Sequence, residues 1–577
     1  MRPYKVTLCA LNSRYSHTSL SVRCLRAAID RTFDRALVTC TVVEGTVNES
    51  QDAVLSRLEA ERPTLLGLSC YIWNVKEMLS LANDYKALHP EVHIVLGGPE
   101  VSYRPAEILA SHPAVDYVLS GEGEEPLPAL IRVLLSERSF DEVSALSYRR
   151  EDGAVAVGVP HISSQDPGSP YRGMDVSGLQ GRIAYLESSR GCPYRCTFCL
   201  SGRCGTVRYF DMERVKSDLL HLAENGVRII KFVDRTFNAD RSYAHAFWQW
   251  IATEYGRAIP KGTRVHFEIS GECLSDASFS ILSAMPVGAI QLEVGLQSFH
   301  PPTLRAIRRN PDTGRLEENI RRLTALKNIH THIDLIAGLP YENYATFTRG
   351  FDRAYSLGAN MLQLGFLKLL PGAPMTEEGE VQYPCAYSPE PPYEVIETDA
   401  ISAAELDKLR LAEDALERLG NSGRFSRTLG YLIDTCGLRP YELFYGFAVY
   451  VREHGTAKAL DPYTNAFATY ASALSGVEAP RLLDFMVYDR MATNSSGVIP
   501  DGIRNFDKRL KQIRLCLNAD PSTRELPGIR RTLAALRDGD TVLWADYRNP
   551  DPVTGEYTVH ACSMRMLLSR RAESEVT

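Results

Sequence analysis

Short apolar runs alternate with amphipathic stretches along the first 135 residues of the chain. Five runs have the length and character of strands buried on both faces of a parallel sheet, and four stretches between them have the period of helices. The predicted strands cover residues 4–11, 36–43, 64–71, 92–96 and 115–120, and the predicted helices cover residues 19–31, 49–61, 75–88 and 124–136. This alternation predicts an α/β fold in which residues 1–150 form a doubly wound, Rossmann-like domain.

A second alternating block follows a segment rich in Gly, Ser, Asp and Pro, which we expect to be a linker over residues 151–180. Six more strands are predicted, with helical segments between them, at residues 183–188, 228–233, 265–270, 289–295, 332–337 and 361–368. Six such units favour a partial (β/α)6, TIM-like barrel over residues 181–385.

The remaining residues, 386–577, begin with the proline-rich stretch PCAYSPEPPYEV and have a mainly helical pattern. Helices are predicted at residues 403–419, 428–455, 465–474 and 507–517, followed by a hairpin with its turn at 551–555. We expect a helical C-terminal domain that could cap the barrel mouth. Tyr441, Tyr445 and Tyr450 are candidates for lining a substrate pocket there, although their helical spacing is also typical of core packing.

Composition narrows the class of protein. The 577 residues are 44% hydrophobic and 23% charged, which is typical of a large globular protein of about three domains. The net charge of −7 argues against a general nucleic-acid binder. No apolar stretch approaches the ~20 residues of a membrane span, and the first residues have the pattern of a strand rather than a signal peptide. We therefore expect a cytoplasmic protein whose 13 cysteines are mostly reduced core thiols.

Three cysteines stand close together in the turn-rich stretch SSRGCPYRCTFCLSG, as Cys192, Cys196 and Cys199. This Cys-x3-Cys-x2-Cys spacing can hold a four-iron cluster while one iron keeps no protein ligand. A zinc site is the alternative, because Cys-x2-Cys pairs also form closed four-ligand sites. Zinc would need a second nearby pair, and only Cys204 is close in the sequence. The spacing therefore favours iron.

The triplet resembles the signature of the radical S-adenosylmethionine superfamily. The resemblance implies that Cys192, Cys196 and Cys199 bind a [4Fe-4S] cluster, whose open iron is chelated by the amino and carboxylate groups of S-adenosylmethionine. An electron from the cluster then cleaves the sulfonium bond and releases a 5′-deoxyadenosyl radical. The resemblance also implies that Phe198 lies against the adenine; an ordinary core aromatic is the less favoured alternative.

Polar residues near the ends of later barrel strands resemble further motifs of the superfamily. The resemblance implies that Asp234, in FVDRTFN, receives the amino group of S-adenosylmethionine. It implies ribose and methionine contacts for Glu268 in HFEIS and for Glu293 and Gln297 in LEVGLQS, and an adenine-facing turn at Gly338 in IDLIAGLPYE. Surface or capping roles are the alternative for each residue. Carboxylates at successive strand ends facing one cleft are nevertheless costly unless a cation or ligand uses them.

The order of the domains resembles the subgroup of this superfamily that carries a cobalamin-binding domain before the radical module. In that subgroup the nucleotide tail of the corrinoid passes a Ser after the third strand and a Gly-Gly after the fourth. Ser69, Gly97 and Gly98 match those positions. None of the loops contains G-x-G-x-x-G, so a nicotinamide or flavin dinucleotide is not expected.

The match is incomplete at the metal of the corrinoid. Proteins whose histidine ligates cobalt carry Asp-x-His-x-x-Gly after the first strand, whereas YSHTSL keeps His17 but has Tyr15 in place of Asp and Leu20 in place of Gly. A ligating imidazole would then lack the carboxylate that usually orients it. His17 is thus one candidate for the cobalt ligand, a histidine bonded to local backbone is a second interpretation, and Tyr15 or Asn12 facing the corrin is a third.

These resemblances cover residues 1 to about 375 and imply an enzyme that binds a [4Fe-4S] cluster, S-adenosylmethionine and cobalamin. The expected reaction is methyl transfer to an unactivated carbon or phosphorus of a small molecule or biosynthetic intermediate, with flavodoxin or ferredoxin as external electron donor. Cyclisation or rearrangement without methylation is an alternative, and a cobalamin or redox sensor is the non-enzymatic one. Methylthio transfer to tRNA is less favoured, since that family places three further cysteines for a second cluster in its N-terminal domain.

Overall fold

The structure is a computed structural model that describes residues 3–136, 139–203, 205–309, 311–519 and 532–574. It divides into two compact units. The first comprises Met1–Glu293, Leu304–Pro311 and Leu367–Ile396, and the second comprises Val294–Thr303, Asp312–Phe366 and Glu397–Thr577.

The first unit begins with seven strands and six helices. The strands are β1 (Tyr4–Asn12), β2 (Val38–Thr46), β3 (Leu65–Ser69), β4 (His93–Gly97), β5 (Tyr117–Leu119), β6 (Leu146–Arg149) and β7 (Val155–Ala156). The helices are α1 (Leu20–Thr32), α2 (Gln51–Glu61), α3 (Val75–Leu88), α4 (Pro99–Ser102), α5 (Pro105–Ser111) and α6 (Pro126–Ser136). The strands form one sheet in the order β2-β1-β3-β4-β5-β6-β7, parallel from β2 to β5 and antiparallel at β6 and β7.

Alternate residues of the strands pack against helices on opposite faces of this sheet. Leu8 belongs to a hydrophobic core with α1 and α6, whereas the neighbouring Cys9 belongs to a core with α2 and α3. Side chains of successive strand residues point to opposite faces, so a sheet covered on both sides needs nearly continuous apolar strands. The predicted doubly wound α/β domain is confirmed.

The sheet also extends into the segment that we expected to be a linker. Strand β7, Val155–Ala156, pairs antiparallel with β6 and lies within the predicted linker 151–180. Two residues are too few to show an alternating pattern, so the sequence gives no signal for this strand.

The central part of the chain again alternates strands and helices. The strands are β8 (Ile183–Leu186), β9 (Ser189–Gly191), β10 (Val207–Tyr209), β11 (Ile229–Phe232), β12 (Arg264–Ile269), β13 (Ile290–Gln297), β14 (His330–Ala337), β15 (Met361–Phe366), β16 (Cys385–Tyr387) and β17 (Val395–Thr398). The helices are α7 (Met212–Glu224), α8 (Arg241–Glu254), α9 (Asp276–Ser283), α10 (Pro301–Ala306), α11 (Thr313–Ala325), α12 (Tyr344–Tyr355) and α13 (Pro374–Gln382).

Each of the six predicted barrel strands is present. In the first unit β8, β11, β12 and the first half of β13 lie in that order, and β8, β11 and β12 run parallel. In the second unit the end of β13, β14 and β15 lie in that order, and β14 runs parallel to β15. Within each unit, helices connect the parallel strands, so their carboxyl ends and the loops that follow them lie at one edge, where parallel α/β folds place their sites.

The rest of the second unit is mainly helical, as expected. Its helices are α14 (Ala403–Ala415), α15 (Ser426–Gly430), α16 (Pro440–Glu453), α17 (Leu460–Ser472), α18 (Ala479–Thr493), α19 (Leu510–Ala519) and α20 (Met564–Ser574). Strands β18 (Leu533–Ala535), β19 (Thr541–Asp546) and β20 (Thr558–Ser563) form a three-stranded antiparallel sheet, which includes the predicted hairpin.

The three tyrosines of α16 have different surroundings. Tyr441 is fully buried, its ring packs edge-on against Phe351, and its hydroxyl lies 2.8 Å from that of Tyr344. Tyr445 stacks on Tyr441, and Tyr450 stacks on His454, the residue directly after the helix. Tyr441 therefore belongs to the helical core, which is the role its spacing also allowed. Among the described residues, no helix combines the length and apolar character that crossing a bilayer requires.

Candidate functional site

The three clustered cysteines lie on the loop that connects β9 to β10, two short strands that pair antiparallel. Gly191, the last residue of β9, has φ of 99°, and a Cβ atom there would lie 2.0 Å from the carbonyl oxygen of Thr206. Only glycine fits such a position. The hairpin therefore fixes where Cys192 leaves the sheet.

The rest of the loop is held by backbone hydrogen bonds. Thr197 donates its N–H to the carbonyl of Ile307, at 3.2 Å, and accepts the N–H of Met375, at 2.8 Å. A tight turn joins Cys196 and Cys199, whose N–H lies 3.2 Å from the Cys196 carbonyl. Gly202 packs so closely that a Cβ would lie 2.5 Å from the same carbonyl. The loop is therefore pre-shaped by contacts that do not use the thiols.

The chemistry of the donor set suits a cationic iron cluster. Cys196 is buried, whereas Cys192 and Cys199 are half-buried. Burial raises the pKa of Cys196 to about 11; Arg309 lowers it, and the thiols of Cys199 and Cys192 raise it further. Three crowded thiols ionise together only when a metal supplies positive charge. Phe198 stands half-buried between the last two cysteines, and Cys204 lies outside the described residues.

Asp234 lies just beyond the carboxyl end of β11, as predicted, but its side chain faces the start of the cysteine loop. It is 1% exposed and accepts hydrogen bonds from the Ser188 N–H at 2.9 Å, the Ser188 hydroxyl at 2.6 Å and the Ser189 hydroxyl at 2.5 Å. Burial raises the pKa of Asp234 to about 6, and these hydrogen bonds oppose the rise. The geometry makes Asp234 a support for the loop; its contact with S-adenosylmethionine stays a prediction.

Glu268 and Glu293 share one cation that the sequence reasoning missed. Lys231 Nζ lies 3.2 Å from Glu293 Oε2 and 3.7 Å from Glu268 Oε1, and His266 Nε2 lies 2.9 Å from the same Glu293 oxygen. Burial alone would lower the pKa of Lys231, but Glu293 and Glu268 raise it above its usual value. Burial raises the pKa of Glu268, which Arg235 partly offsets.

A polar residue inside an apolar strand is the signal that could have identified this group. Lys231 in IIKF and His266 in RVHFEI each interrupt a run of apolar residues. The two residues are partners in the parallel register of β11 and β12. Neighbouring positions on one face of a sheet bring such side chains together, so the strands present a continuous polar layer.

The two predicted residues of the second unit lie at turns with left-handed backbone. Gln297, at the end of β13, has φ of 70°, and its Oε1 is buried without a hydrogen-bond partner among the described residues. Gly338, which follows β14, has φ of 83°. A non-glycine residue in this conformation is uncommon and is typical of functional turns. The unpaired amide oxygen of Gln297 is a free acceptor for a ligand.

The carboxyl ends of β3 and β4, where the sequence predicts a cobalamin site, lie side by side in the sheet. Ser69 and Gly97 are register partners, and the Ser69 hydroxyl lies 3.1 Å from that of Ser21. A Cβ at Gly97 would meet only the Leu119 carbonyl oxygen, at 3.8 Å, so open space lies beside it. Gly98 differs, because φ is 109° and a Cβ would lie 2.4 Å from the Cys70 carbonyl oxygen. Gly97 thus has open space beside it, whereas Gly98 is required by the backbone, and contact of Ser69, Gly97 or Gly98 with a corrinoid stays a prediction.

Two aromatic residues on the loop after β3 were not singled out from the sequence. Tyr71 and Trp73 stack with centroids 4.5 Å apart, and the indole N–H of Trp73 donates to the Leu11 carbonyl at 3.1 Å. Trp73 remains 44% exposed at the same edge as Ser69. A large exposed aromatic ring held by a hydrogen bond is a flat apolar surface for a ligand. Its signal in the sequence is the pair of aromatics in SCYIWN.

His17 has a partner that the sequence did not reveal. Its Nδ1 lies 2.5 Å from the hydroxyl of Tyr185, on β8, and burial and the nearby Arg14 and Lys231 lower the pKa of the imidazole. Tyr15 is 77% exposed with Arg182 over its ring, and Asn12 is buried and donates to Glu44 at 3.3 Å. The contacts of Tyr15 and Asn12 thus involve residues other than His17. Ligation of cobalt by His17, Tyr15 or Asn12 stays a prediction.

Comparison with known protein families assigns three parts of the chain. Residues 7–131 match the B12 binding domain, residues 186–353 match the Radical SAM superfamily, and residues 381–532 match a family described as a protein of unknown function, DUF4080. The first match contains Ser69, Gly97 and Gly98, and the second contains the three cysteines of the loop.

Two of the proteins that this chain resembles are methyltransferases by name. The chain is 30% identical over 413 residues to the cobalamin-dependent radical SAM methyltransferase TokK of Streptomyces tokunonensis, covering 66% of this chain and 58% of TokK. It is 31% identical to the 2-(S-pantetheinyl)-carbapenam-3-carboxylate methyltransferase of Streptantibioticus cattleyicolor, covering 54% of this chain and 48% of the relative. The chain therefore spans about half the length of these relatives.

A solved structure has the same fold. It is the cobalamin-dependent S-adenosylmethionine radical enzyme OxsB with aqua-cobalamin and S-adenosylmethionine bound. The TM-score is 0.60 at 16% identity, over 85% of this chain and 79% of OxsB. At this identity the likeness concerns the fold.

Proposed function

We propose that the protein, which joins a B12-binding domain to a radical SAM domain, is a cobalamin-dependent radical S-adenosylmethionine methyltransferase. The observation that carries the proposal is the cysteine loop, whose backbone hydrogen bonds fix its shape without using the thiols. The sheet of the B12-binding domain leaves open space at Gly97. The substrate we propose is a small molecule with an unactivated carbon or phosphorus.

Each cofactor has a set of residues suited to hold it. Cys192, Cys196 and Cys199 would ligate three irons of a [4Fe-4S] cluster, and Ser69 and Gly97 would receive the corrinoid tail. When bound, the cluster and S-adenosylmethionine supply the electron and the radical, and the corrinoid supplies the methyl group.

We propose that the other predicted residues bind and orient S-adenosylmethionine. Glu293 and Glu268 already hold one ammonium, that of Lys231, so the same carboxylates suit a ligand that carries an ammonium and a sulfonium. Asp234 holds the serines that precede the cysteine loop. Gln297 Oε1 offers an acceptor for a ribose hydroxyl.

We propose that the protein acts in the cytoplasm and receives electrons from flavodoxin or ferredoxin.

Two alternative functions predict different products. A cyclase or rearrangement enzyme would form 5′-deoxyadenosine without methylating the corrinoid. A sensor would bind the cofactors and would not cleave S-adenosylmethionine.

Anaerobic reconstitution with iron, sulfide and cobalamin, followed by addition of S-adenosylmethionine and a reductant, tests the proposal. Mass spectrometry should detect both 5′-deoxyadenosine, which reports radical initiation, and S-adenosylhomocysteine, which reports methylation of the corrinoid. Cys196→Ala is the matched control and should abolish 5′-deoxyadenosine. Absence of both products from the fully loaded parent would overturn the proposal, and 5′-deoxyadenosine alone would favour the rearrangement enzyme.

A further inference from the structure

Arg190 immediately precedes Gly191 and Cys192, at the start of the cysteine loop (called the cluster loop below), and its side chain contacts three carboxylates. It donates to both oxygens of Glu187, at 2.6 and 3.0 Å, to Glu124 Oε1 at 2.5 Å and to Glu122 Oε2 at 3.0 Å. Glu122 and Glu124 belong to the loop SGEGE, which follows β5 in the B12-binding domain. One side chain of the cluster hairpin is thus bound to a loop of the other cofactor domain.

The hairpin and the acidic loop each need the other. Arg190 and Arg208 are register partners across β9 and β10, and two like charges in such positions repel. Glu122 lies between them, with Oε2 on Arg190 and Oε1 on Arg208. The side chains of Glu122 and Arg190 are each 19% exposed, so neither charge is freely solvated without its partner.

The acidic loop has one backbone attachment of its own, at Gly121 and Glu122. Gly121 has φ of 85°, and a Cβ there would lie 2.2 Å from the His161 carbonyl oxygen, which also accepts the Glu122 N–H at 2.9 Å. A movement of Glu122 would therefore have to displace this backbone contact. Arg190 adds a second attachment to this loop, at Glu124.

The far end of the cluster loop has a similar attachment. Arg203, four residues after Cys199, lies over the ring of Tyr103 at 5.5 Å and pairs with Glu377. Tyr103 follows the short helix that begins directly after Gly98. The cluster loop is thus attached at both ends to loops at the carboxyl edge of the B12-binding sheet.

We propose that Arg190 is a positioning residue that joins the cluster loop to the Glu122–Glu124 loop, so that the two cofactor-binding loops keep one fixed separation. This inference rests on the proposed function only in naming the two groups that are positioned. The link itself is a property of the protein and can be tested without turnover.

Hydrogen exchange of the full-length reconstituted protein tests the link. In Arg190→Gln, amides of residues 118–125 should exchange about tenfold faster or more than in the parent, together with those of residues 187–192. Arg214→Gln is the matched control, because Arg214 is 16% exposed, stacks on the same Phe210 ring and pairs with Asp166 and Asp218 instead. It should leave residues 118–125 unchanged.

A double variant separates a specific link from general loosening. As a single substitution, Glu124→Gln should raise the exchange rate at residues 187–192. Combined with Arg190→Gln, it should cause no further increase in that rate. Arg190→Lys, which keeps the charge and loses the fork, should give an intermediate rate and serves if Arg190→Gln does not fold.

Magnetic coupling between the reduced cluster and bound cob(II)alamin gives a second readout. It should become weaker and more broadly distributed in Arg190→Gln, at unchanged iron and cobalamin content. Unchanged exchange at residues 118–125 in Arg190→Gln would overturn the link. A parent protein that forms no 5′-deoxyadenosine would overturn the proposed function and leave the exchange comparison intact.

Discussion

At the scale of single residues, the site depends on whether a position is required by the backbone or left open for a ligand. Gly97 and Gly98 are adjacent and look equivalent in the sequence. Only Gly98 has a positive φ, and a Cβ there would lie 2.4 Å from a carbonyl oxygen, whereas a Cβ at Gly97 would have one neighbour, at 3.8 Å. Substitution of Gly98 would thus disturb the fold as well as the open space beside Gly97, and Gly97 is the cleaner probe.

Gly97→Val should therefore weaken cobalamin binding about tenfold or more and change the melting temperature little, because valine suits a strand and would fill only the open space. Gly98→Val should lower the melting temperature as well. Cobalamin titration and thermal unfolding of both variants provide the measurements. Equal cobalamin affinity of Gly97→Val and the parent would place the corrinoid elsewhere.

His17 gives the second prediction at this scale. The carboxylate that usually orients a cobalt-ligating imidazole is replaced by Tyr15, and the Nδ1 of His17 instead lies 2.5 Å from the hydroxyl of Tyr185, which is a weaker orienting partner than a carboxylate. We therefore expect no nitrogen superhyperfine splitting from His17 in the electron paramagnetic resonance spectrum of bound cob(II)alamin. His17→Ala should leave the spectrum unchanged. Clear nitrogen splitting that disappears in this variant would instead make His17 the cobalt ligand.

At the scale of elements, strand ends and the turns after them hold the titrating groups. Glu342 stands between β14 and α12, is 3% exposed, and accepts a hydrogen bond from Ser298 at 2.6 Å. Burial raises the pKa of Glu342 to about 7, and the Ser298 hydrogen bond opposes the rise. The folded protein therefore keeps this carboxyl protonated over a pH range in which the unfolded chain has lost the proton.

This shift predicts a pH-dependent stability. Between about pH 4.5 and 7 the folded state binds one proton more than the unfolded state, so the contribution of Glu342 to the free energy of unfolding falls as the pH rises. Glu342→Gln should match the parent near pH 4 and be more stable at pH 8, by about 3 kcal/mol at most. Chemical unfolding at both pH values provides the measurement, and an equal difference at both would contradict the assignment.

At the scale of the whole molecule, the two cofactor sites use different loops of one compact unit. The cysteine loop follows β9, whereas Ser69 and Gly97 end β3 and β4. The two sites share no residue, although Arg190 joins the neighbouring loops. Loading of one site should therefore not require the other.

Cys196→Ala tests this independence. It should abolish the iron–sulfur absorbance, since two thiolates do not hold the cluster, and should bind cobalamin with the affinity of the parent. Cys204→Ala is the control and should keep both cofactors. Four irons per chain in Cys196→Ala would exclude the cluster assignment.

Much of this architecture follows from local patterns in the sequence. Apolar runs with helical stretches between them predicted five strands of the first sheet and six of the central domain, because a buried strand and its helix each show their period within about ten residues. The cysteine triplet and the Gly97–Gly98 pair are equally local. Strand β7 was not predicted, because its two residues are too few to show such a pattern.

Only the tertiary structure decided which side chains meet. Arg190 and Glu122 are 68 residues apart, and His17 and Tyr185 are 168 apart, so no local period relates them. The same holds for Lys231 with Glu268 and Glu293, which parallel register brings to one face. Sequence patterns determine the elements because they act over a few residues, whereas the charges of the site are paired by the packing of elements that the chain places far apart.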